Sequence, residues 1–479
     1  MASATPPSLH VLLFPFMAKG HTIPILQLSR LLLRRNAAVT LFTTPANHPY
    51  ISTSLSDTTT AIVTLPFPDT VPGVPPGVES LDKLPSLSHF YSFVSSTKLM
   101  KSHFEQAIRA LKTPVTFMVT DGFLGWTVES ANMFNIPRLV YYGMSNFTIT
   151  MNRVISHNPH LFDGKTDIDR VTVPEFPWMT ATRTEFEDAF TGGDNPLAKW
   201  VVEQVLATAK SYGIITNSFF ELEPVYADYW NSKLGPKSWS IGPFCLAQGL
   251  TKTECYLDGQ KPSWMIWLDK KLQVKSPVLY VAFGSQAHIS MDQIEEIKLG
   301  LEKSEVDFLW VVRRSENGFR SDDGFEERVK EKGIVVREWV NQREILEHEN
   351  VKGFVSHCGW NSVLESISAG VPILAWPLTA EQPMNAKFVV EELKIGVRVE
   401  TCDGSVNGFV KWEGLEKKVK ELMEGVKGKE MRNKAEEIRN AAVKAVEEDG
   451  SSWRSLNELI VELQTESRRG GHQVTSYLI

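Results

Sequence analysis

Residues 339–382 read WVNQREILEHENVKGFVSHCGWNSVLESISAGVPILAWPLTAEQ. The apolar run 353–356 is typical of a buried strand, and the residues after it predict a helix that ends at Ala369, with Gly370 as its C-terminal cap. The free backbone N–H groups and the positive dipole end at the start of such a helix favour an anion such as a pyrophosphate. The stretch therefore predicts a strand–turn–helix unit that binds a phosphorylated ligand.

Polar side chains around this turn suit a nucleotide and require no metal ion. His357, Asn361 and Ser362 supply hydrogen-bond donors at the predicted helix start. Simpler interpretations also exist: Ser362 and Glu365 have the spacing of a capping box, and Trp339 suits a packed core. The sequence contains no carboxylate cluster typical of a magnesium site, so we expect metal-independent chemistry.

The alternation of strands and helices extends along the whole chain. Strands are predicted at 9–16, 38–44, 61–65, 116–120, 278–283, 308–312, 334–336 and 371–376. A polar stretch at 248–262 is interpreted as a linker between domains 1–247 and 263–450, and 451–479 as a C-terminal helix and tail that return to the first domain. The predicted fold class is α/β, with two facing Rossmann-like, doubly wound parallel sheets and ligands in the cleft between them.

Two residues at predicted strand ends have the chemistry of a catalytic pair. His21 follows the first strand in the loop before a helix with Thr22 as its N-cap, and Asp121 follows strand 116–120. The carboxyl ends of parallel strands meet at one edge of a sheet, so these side chains can come together. A histidine oriented by a carboxylate is a suitable general base near neutral pH. A loop histidine and a helix-capping aspartate are the simpler interpretations.

Composition and charge narrow the class of protein. The chain has 479 residues and a net charge of −7, which disfavours a nucleic-acid partner. Its four cysteines are too few for a disulfide framework in so long a chain, and their spacing matches no zinc-binding motif. This cysteine usage favours a reducing compartment. No apolar run approaches the roughly 20 residues that span a bilayer. We expect an intracellular protein of two or three domains, with a monomer favoured.

Residues 339–382 resemble the signature box of the plant secondary-product UDP-glycosyltransferases, family 1 enzymes with the GT-B fold. The match in residue type and spacing includes 357–362, Glu365, 370–372 and 381–382. Further similar motifs are Gly20-His21, Asn217-Ser218-Phe219-Phe220-Glu221-Leu222-Glu223, Ile241-Gly242-Pro243, Trp267-Leu268-Asp269 and Phe283-Gly284-Ser285. The resemblance covers nearly the whole chain, and it implies a plant source and a cytoplasmic location.

The resemblance implies a role for each donor-binding residue. Trp339 stacks on the uracil, with Val340 and Gln342 beside it, and Glu365 accepts from the ribose hydroxyls. The phosphates are held by His357, Asn361, Ser362 and Ser285. The sugar is faced by Trp360, Glu381 and Gln382, and the glutamine indicates glucose. His21 and Asp121 match the catalytic base and its orienting carboxylate.

The acceptor pocket is less readable from sequence. Apolar and aromatic side chains suit a flat phenolic ring, and methionines adapt to its shape. The candidates, each also a common type of core residue, are Phe16, Met17, Phe123, Tyr142, Met144, Phe147, Phe186 and Met384. Gly143 departs from the resemblance, because many relatives carry a threonine there, and Asn341 replaces a proline of the uracil loop.

We therefore predict an inverting, UDP-glucose-dependent glucosyltransferase. It moves glucose to a hydroxyl of a small hydrophobic acceptor, phenolic or flavonoid, and forms a β-glucoside without a further cofactor. Transfer of galactose, xylose or rhamnose and C-glycosylation stay open, as does a catalytically silent UDP-sugar-binding protein. A dinucleotide-dependent oxidoreductase is disfavoured because no G-x-G-x-x-G follows the first strand.

Overall fold

The structure is a computed structural model that describes residues 9–187, 195–248, 261–284, 289–312 and 323–469. Its strands are β1 His10–Phe14, β2 Ala38–Thr43, β3 Ala61–Thr64, β4 Phe117–Asp121, β5 Arg138–Tyr142, β6 Val171–Val173, β7 Phe176–Ala181, β8 Gly213–Thr216, β9 Ser238–Ser240, β10 Val278–Ala282, β11 Asp307–Val311, β12 Gly333–Val336, β13 Val351–Ser356, β14 Ile373–Ala375 and β15 Gly396–Arg398.

Helices connect most of these strands. They are α1 Lys19–Leu33, α2 His48–Ser54, α3 Phe90–Ser96, α4 Lys101–Ala110, α5 Thr127–Phe134, α6 Asn146–Ser156, α7 Pro196–Ala209, α8 Pro224–Tyr229, α9 Ser263–Gln273, α10 Met291–Ser304, α11 Phe325–Val329, α12 Gln342–Glu347, α13 Trp360–Ala369, α14 Gln382–Lys387, α15 Trp412–Met423, α16 Val426–Val446 and α17 Ser451–Arg469. This strand–helix alternation confirms the predicted α/β class.

The first of two compact units comprises Met1–Arg153, Gly192–Gly249 and Lys444–Ile479. Its parallel sheet has the strand order β3-β2-β1-β4-β5-β8-β9. The strand order changes direction at β1, which pairs with both β2 and β4, and Phe14 at the end of β1 lies opposite Thr120 in β4. The residues that follow these two strands therefore meet at one edge of the sheet, the usual position of a ligand site.

The core of the first unit draws on distant parts of the chain. Alternate residues of β1, such as Val11 and Leu13, pack against Ile25 and Leu28 of α1. Three leucines of α17 join the same core: Leu456, Leu459 and Leu463. The hydroxyl of Ser452 also donates to the backbone carbonyl of Gly242 in this unit. The C-terminal helix predicted within 451–479 is thus an integral part of this core.

The second unit comprises Val154–Thr191 and Leu250–Val443. Its parallel sheet has the order β12-β11-β10-β13-β14-β15, and β6 and β7 form a separate antiparallel hairpin. The strand order changes direction at β10, which pairs with both β11 and β13. The turns that follow β10 and β13 therefore share one edge of the sheet.

The hairpin segment differs from the predicted boundaries, which assigned 154–191 to the first domain. Glu185, just after the hairpin, is buried and lies 3.5 Å from Nζ of Lys387 in α14 and 3.6 Å from Nη1 of Arg398 in β15. These ion pairs hold the segment to the second unit. The predicted linker falls largely on 249–260, which lies outside the described residues.

Candidate active site

Strands β1 and β4 bring His21 and Asp121 together. Nδ1 of His21 lies 2.7 Å from Oδ2 of Asp121, and the two side chains are 20% and 1% exposed. Because a carboxylate only accepts hydrogen bonds, Nδ1 carries the proton, and Nε2 is the basic nitrogen of the neutral ring. A histidine whose tautomer and orientation are fixed by a carboxylate can act as a general base.

The local structure around the pair differs in detail from the sequence-based prediction. Helix α1 begins at Lys19, so His21 lies in its first turn and not in a loop. The backbone N–H groups of His21 and Thr22 both donate to the carbonyl of Ala18, which is why the helix starts before the predicted cap Thr22. Asp121 does act as a cap, since its Oδ1 accepts from the backbone N–H of Phe123. One carboxylate oxygen therefore caps the turn while the other holds His21.

Aromatic side chains surround the histidine. The ring centroids of Phe16 and Phe123 lie 5.4 and 5.0 Å from that of His21. Phe123 in turn packs against Phe90 and Trp200, with centroids 6.1 and 5.2 Å away. Sequence reasoning missed Phe90 and Trp200, because α3 and α7 reach this cluster only through tertiary packing. The apolar surroundings suit a hydrophobic acceptor.

The other acceptor candidates do not form one cluster. Tyr142 donates to or accepts from the hydroxyl of Thr208 at 2.6 Å, and Met144 packs against the small core cluster around Val140. Met17 and Phe147 are core residues of the first unit. Two candidates belong to the second unit and are buried there: Phe186 and Met384. Full burial of Phe16, Phe147 and Met384 leaves their side chains no surface for a ligand in this structure, so Phe16 supports the His21 ring from behind.

The second unit contains the predicted phosphate-binding turn. Gly359 is the N-cap of α13, and Gly370 ends that helix with a φ of 72°. A Cβ atom at either Gly284 or Gly359 would lie only 2.6 Å from Nε2 of His357. These two glycines therefore allow the histidine to lie against two backbone segments at the start of α13, where the helix dipole favours an anion.

A hydrogen-bond network links the uracil and ribose residues of the prediction. Nε2 of Gln342 donates to Oγ of Ser362 at 2.8 Å and to Oε2 of Glu365 at 2.6 Å. Because α13 begins at Trp360, Ser362 is inside the helix and forms no capping box with Glu365. Burial raises the pKa of Glu365 to about 7, although the hydrogen bond from Gln342 acts to lower it.

The remaining donor-binding candidates have distinct environments. The side chain of Trp339 is 72% exposed, which leaves its ring open to stacking, and Val340 is half-buried. The indole of Trp360, predicted to face the sugar, is buried and packs on Phe388. Asn361 lies in the first turn of α13, and Ser285 lies outside the described residues.

The end of the predicted donor stretch is tied to the phosphate turn. Nδ2 of Asn385 donates to the carbonyl of Cys358 at 3.0 Å and lies 3.5 Å from Oε1 of Glu381. Oε1 of Gln382 accepts from the backbone N–H groups of Leu378 and Thr379 at 2.9 and 3.1 Å. These bonds fix where Glu381 and Gln382 stand in the second unit.

Within the described residues, no group of three or more His, Cys, Asp or Glu side chains is arranged to hold a metal ion. Over the same part of the chain, no helix combines the length and the apolar character needed to cross a membrane.

The turn predicted to bind phosphates and the histidine held by a carboxylate are both present, each in its own Rossmann-like unit, as the resemblance in sequence leads us to expect. The family described as "UDP-glucoronosyl and UDP-glucosyl transferase" matches residues 266–432. UDP-glycosyltransferase 90A1 of Arabidopsis thaliana is 49% identical, over 95% of this chain and 96% of its own. The chain belongs to the plant family 1 UDP-glycosyltransferases.

Other similar proteins support this family assignment. Scopoletin glucosyltransferase of Nicotiana tabacum is 35% identical over 96% of this chain and 99% of its own. The crystal structure of Glycyrrhiza uralensis UGT73P12 complexed with glycyrrhetinic acid 3-O-monoglucuronide is similar with a TM-score of 0.86 and 33% identity, covering 96% of each chain. Phytolacca americana UGT2, complexed with UDP-2fluoro-glucose and pterostilbene, has a TM-score of 0.77 and 27% identity over 95% of this chain and 99% of its own. The predicted family, fold and enzyme class are confirmed.

Proposed function

We propose that this protein transfers glucose from UDP-glucose to a hydroxyl of a small phenolic acceptor, with inversion at the anomeric carbon. The observation that supports it most is the 2.7 Å contact between Nδ1 of His21 and Oδ2 of Asp121, beside the rings of Phe16 and Phe123. A protein that only binds a UDP-sugar has no use for an oriented base in apolar surroundings.

In the proposed reaction, Nε2 of His21 takes the proton of the acceptor hydroxyl. The oxygen then attacks the anomeric carbon while the bond from that carbon to the β-phosphate oxygen breaks, and UDP leaves with the electron pair. Asp121 stabilises the imidazolium that forms. Attack from the face opposite UDP gives a β-glucoside.

The second unit is proposed to hold the donor. Trp339 stacks on the uracil, Glu365 accepts from the ribose, and His357, Asn361 and Ser362 bind the phosphates beside the N-terminus of α13. Donors at this helix end stabilise the charge that develops on the departing UDP. The proposed phosphate contact of Ser285 belongs to the same set.

Glucose is proposed as the sugar because Glu381 and Gln382 pair a carboxylate with a carboxamide, which suits neutral hydroxyl groups. The names of the relatives support it: one is a scopoletin glucosyltransferase, and one structure contains UDP-2fluoro-glucose. We propose no resident cofactor or metal ion.

The test uses the purified full chain with UDP-glucose and a panel of scopoletin, flavonoids and stilbenes, chosen from the acceptors named for relatives. Mass spectrometry detects one added hexose, in the presence and absence of EDTA. We expect His21→Ala to lower kcat by about 10²–10⁴-fold, the usual contribution of a general base. His103→Ala is the control, because His103 is exposed on α4.

Each outcome is informative. If His21→Ala stays within threefold of the unmutated protein, His21 is not the base. If UDP-glucose binds but a sugar is transferred only from UDP-galactose, UDP-xylose or UDP-rhamnose, as a hexose, pentose or deoxyhexose adduct respectively, the choice of sugar is wrong. If no UDP-sugar binds, the proposal fails as a whole.

A further inference from the structure

A buried arginine lies directly behind the catalytic pair. Arg138 begins β5, the neighbour of β4, and its side chain is almost completely removed from solvent. Burying a cation costs several kcal/mol unless hydrogen bonds and a counter-charge offset the cost. The mechanism above does not use this residue, so its place in the core requires an explanation.

The guanidinium group is bound to the end of the strand that carries Asp121. Nε donates to the hydroxyls of Thr120 and Thr127 at 2.7 and 2.9 Å, and Nη2 donates to the backbone carbonyl of Asp121 at 3.2 Å. Nη1 points the other way, to Oγ of Ser211 at 2.7 Å. Arg138 therefore fixes the main chain at Asp121, although every oxygen named here is neutral.

The counter-charge is the Asp121 carboxylate. Burial lowers the pKa of Arg138 to about 10, while electrostatic interaction with Tyr142 and Asp121 acts in the opposite direction. Burial also raises the pKa values of Tyr141 and Tyr142, the phenols that interact with Asp121, so both are neutral near pH 7. Near neutral pH the guanidinium is therefore charged, and Asp121 is the anion it faces.

We propose that Arg138 is a positioning residue for the His21–Asp121 pair: it fixes the main chain that carries Asp121 and supplies a positive charge that stabilises the Asp121 carboxylate. The inference rests on the proposed function, in which His21 is the base. The simpler alternative is that Arg138 only cross-links β4, α5 and the end of α7. The two differ in what removal of the charge does to catalysis in a folded protein.

The experiment compares pH profiles of kcat/KM between pH 5.5 and 9 for three folded variants. Arg138→Met removes the charge at similar length, and Arg138→Lys keeps the charge but loses the forked hydrogen bonds. Ser211→Ala leaves the bonds to β4 in place and removes the bond from Nη1, together with the bond that the Ser211 hydroxyl donates to the carbonyl of Ala207. We expect Arg138→Met to lower kcat by 10–100-fold. The acidic limb of its pH profile, where activity falls as the pH decreases, should move upward by about 0.5–1 pH unit, because loss of a positive charge favours protonation of the His21–Asp121 pair. Arg138→Lys should lose about tenfold in kcat with an unmoved limb, and Ser211→Ala should stay within twofold.

Urea denaturation followed by circular dichroism monitors the integrity of the first unit in each variant, and uridine affinity monitors that of the second. An Arg138→Met protein that is folded by both measures and keeps the original pH profile and kcat overturns the proposal. If Arg138→Met does not fold, Arg138→Lys decides: kcat within twofold of the unmutated protein overturns it, and a tenfold loss at unchanged acceptor KM supports it. Failure of the proposed function is distinguished by His21→Ala, which would then leave activity intact.

Discussion

Glu365 connects the pH of the solution to the proposed ribose contact. Burial raises the pKa of its carboxyl group to about 7, so the group is mostly ionised at pH 8 and mostly protonated at pH 6. The ionised form is the stronger acceptor for ribose hydroxyls. We expect uridine affinity to fall from pH 8 to pH 6 by up to about tenfold, the ratio of the ionised fractions for such a pKa.

Isothermal titration calorimetry with uridine measures this effect, because uridine carries no phosphate that titrates in the same range. Glu365→Gln should bind uridine more weakly than the unmutated protein at pH 8, with an affinity that no longer depends on pH. Equal pH dependence in both proteins would assign the effect to another group.

Trp339 offers a second test at the level of one side chain. Its ring is exposed, so Trp339→Ala should change the free energy of unfolding by less than about 0.5 kcal/mol. Loss of stacking on the uracil should weaken uridine binding by about 1–3 kcal/mol. Trp178→Ala is a matched control, since Trp178 is 59% exposed in the hairpin of the same unit. A similar loss in both variants, or in neither, contradicts the proposed stacking role.

Individual residues were predictable where the signal was local. The turn 357–359 and Gly370 follow from a strand, a glycine and a helix within one short stretch. Arg138 was missed, although a charge within the apolar run 136–142 was a usable signal that a buried partner lies nearby. The aromatic neighbours Phe90 and Trp200 carry no such signal, because their elements meet Phe123 only in the folded unit.

At the level of elements, the loops after β4 and β5 each contain a glycine, and the two glycines differ in the space that a larger side chain would have. A Cβ at Gly143 would meet only the carbonyl oxygen of Gly20, at 4.0 Å, whereas a Cβ at Gly122 would overlap the ring of Tyr142. Gly143→Ala should therefore stabilise by about 0.4–1 kcal/mol, by restricting the unfolded chain. Gly122→Ala should destabilise by about 1–3 kcal/mol through overpacking.

Urea denaturation of both variants measures the two free energies. Equal effects would mean that the loop after β5 is as closely packed as the loop after β4. The open space at Gly143 also leaves room for the Cβ atom of the threonine that the family resemblance leads us to expect there.

Elements with their own periodicity matched the prediction within a few residues. β2 was expected at 38–44 and spans Ala38–Thr43, and β10 was expected at 278–283 and spans Val278–Ala282. The hairpin segment was assigned to the wrong unit, because the side chains that bind Glu185 lie about 200 positions further along the sequence. Ion pairs between residues so far apart produce no periodic pattern in the sequence.

At the level of the whole molecule, α17 gives a test of how the first unit is stabilised. Leu459 is fully buried in the core that contains β1 and α1. Leu459→Ala should cost about 2–5 kcal/mol, through lost transfer energy and the cavity left behind. Val461→Ala on the same helix is the control, because Val461 is 61% exposed.

Thermal unfolding with and without uridine shows which of the two units is affected by Leu459→Ala. The proposed uridine residues lie in the second unit, so Leu459→Ala should lower the melting temperature without changing the uridine dissociation constant. A weakened dissociation constant would show that loss of Leu459 also disturbs the donor residues.

The three-part composition of the first unit sets an order of events during protein synthesis. A ribosome releases β1 and α1 early, but the leucines of α17 that complete their core appear only after residues 250–443 have been translated. The nascent chain therefore exposes an unfinished apolar surface for most of its elongation, while the second unit already has its main sheet. We therefore expect the first unit to complete its core only after the final helix emerges, and chaperones that bind exposed apolar surface to increase the yield of folded protein.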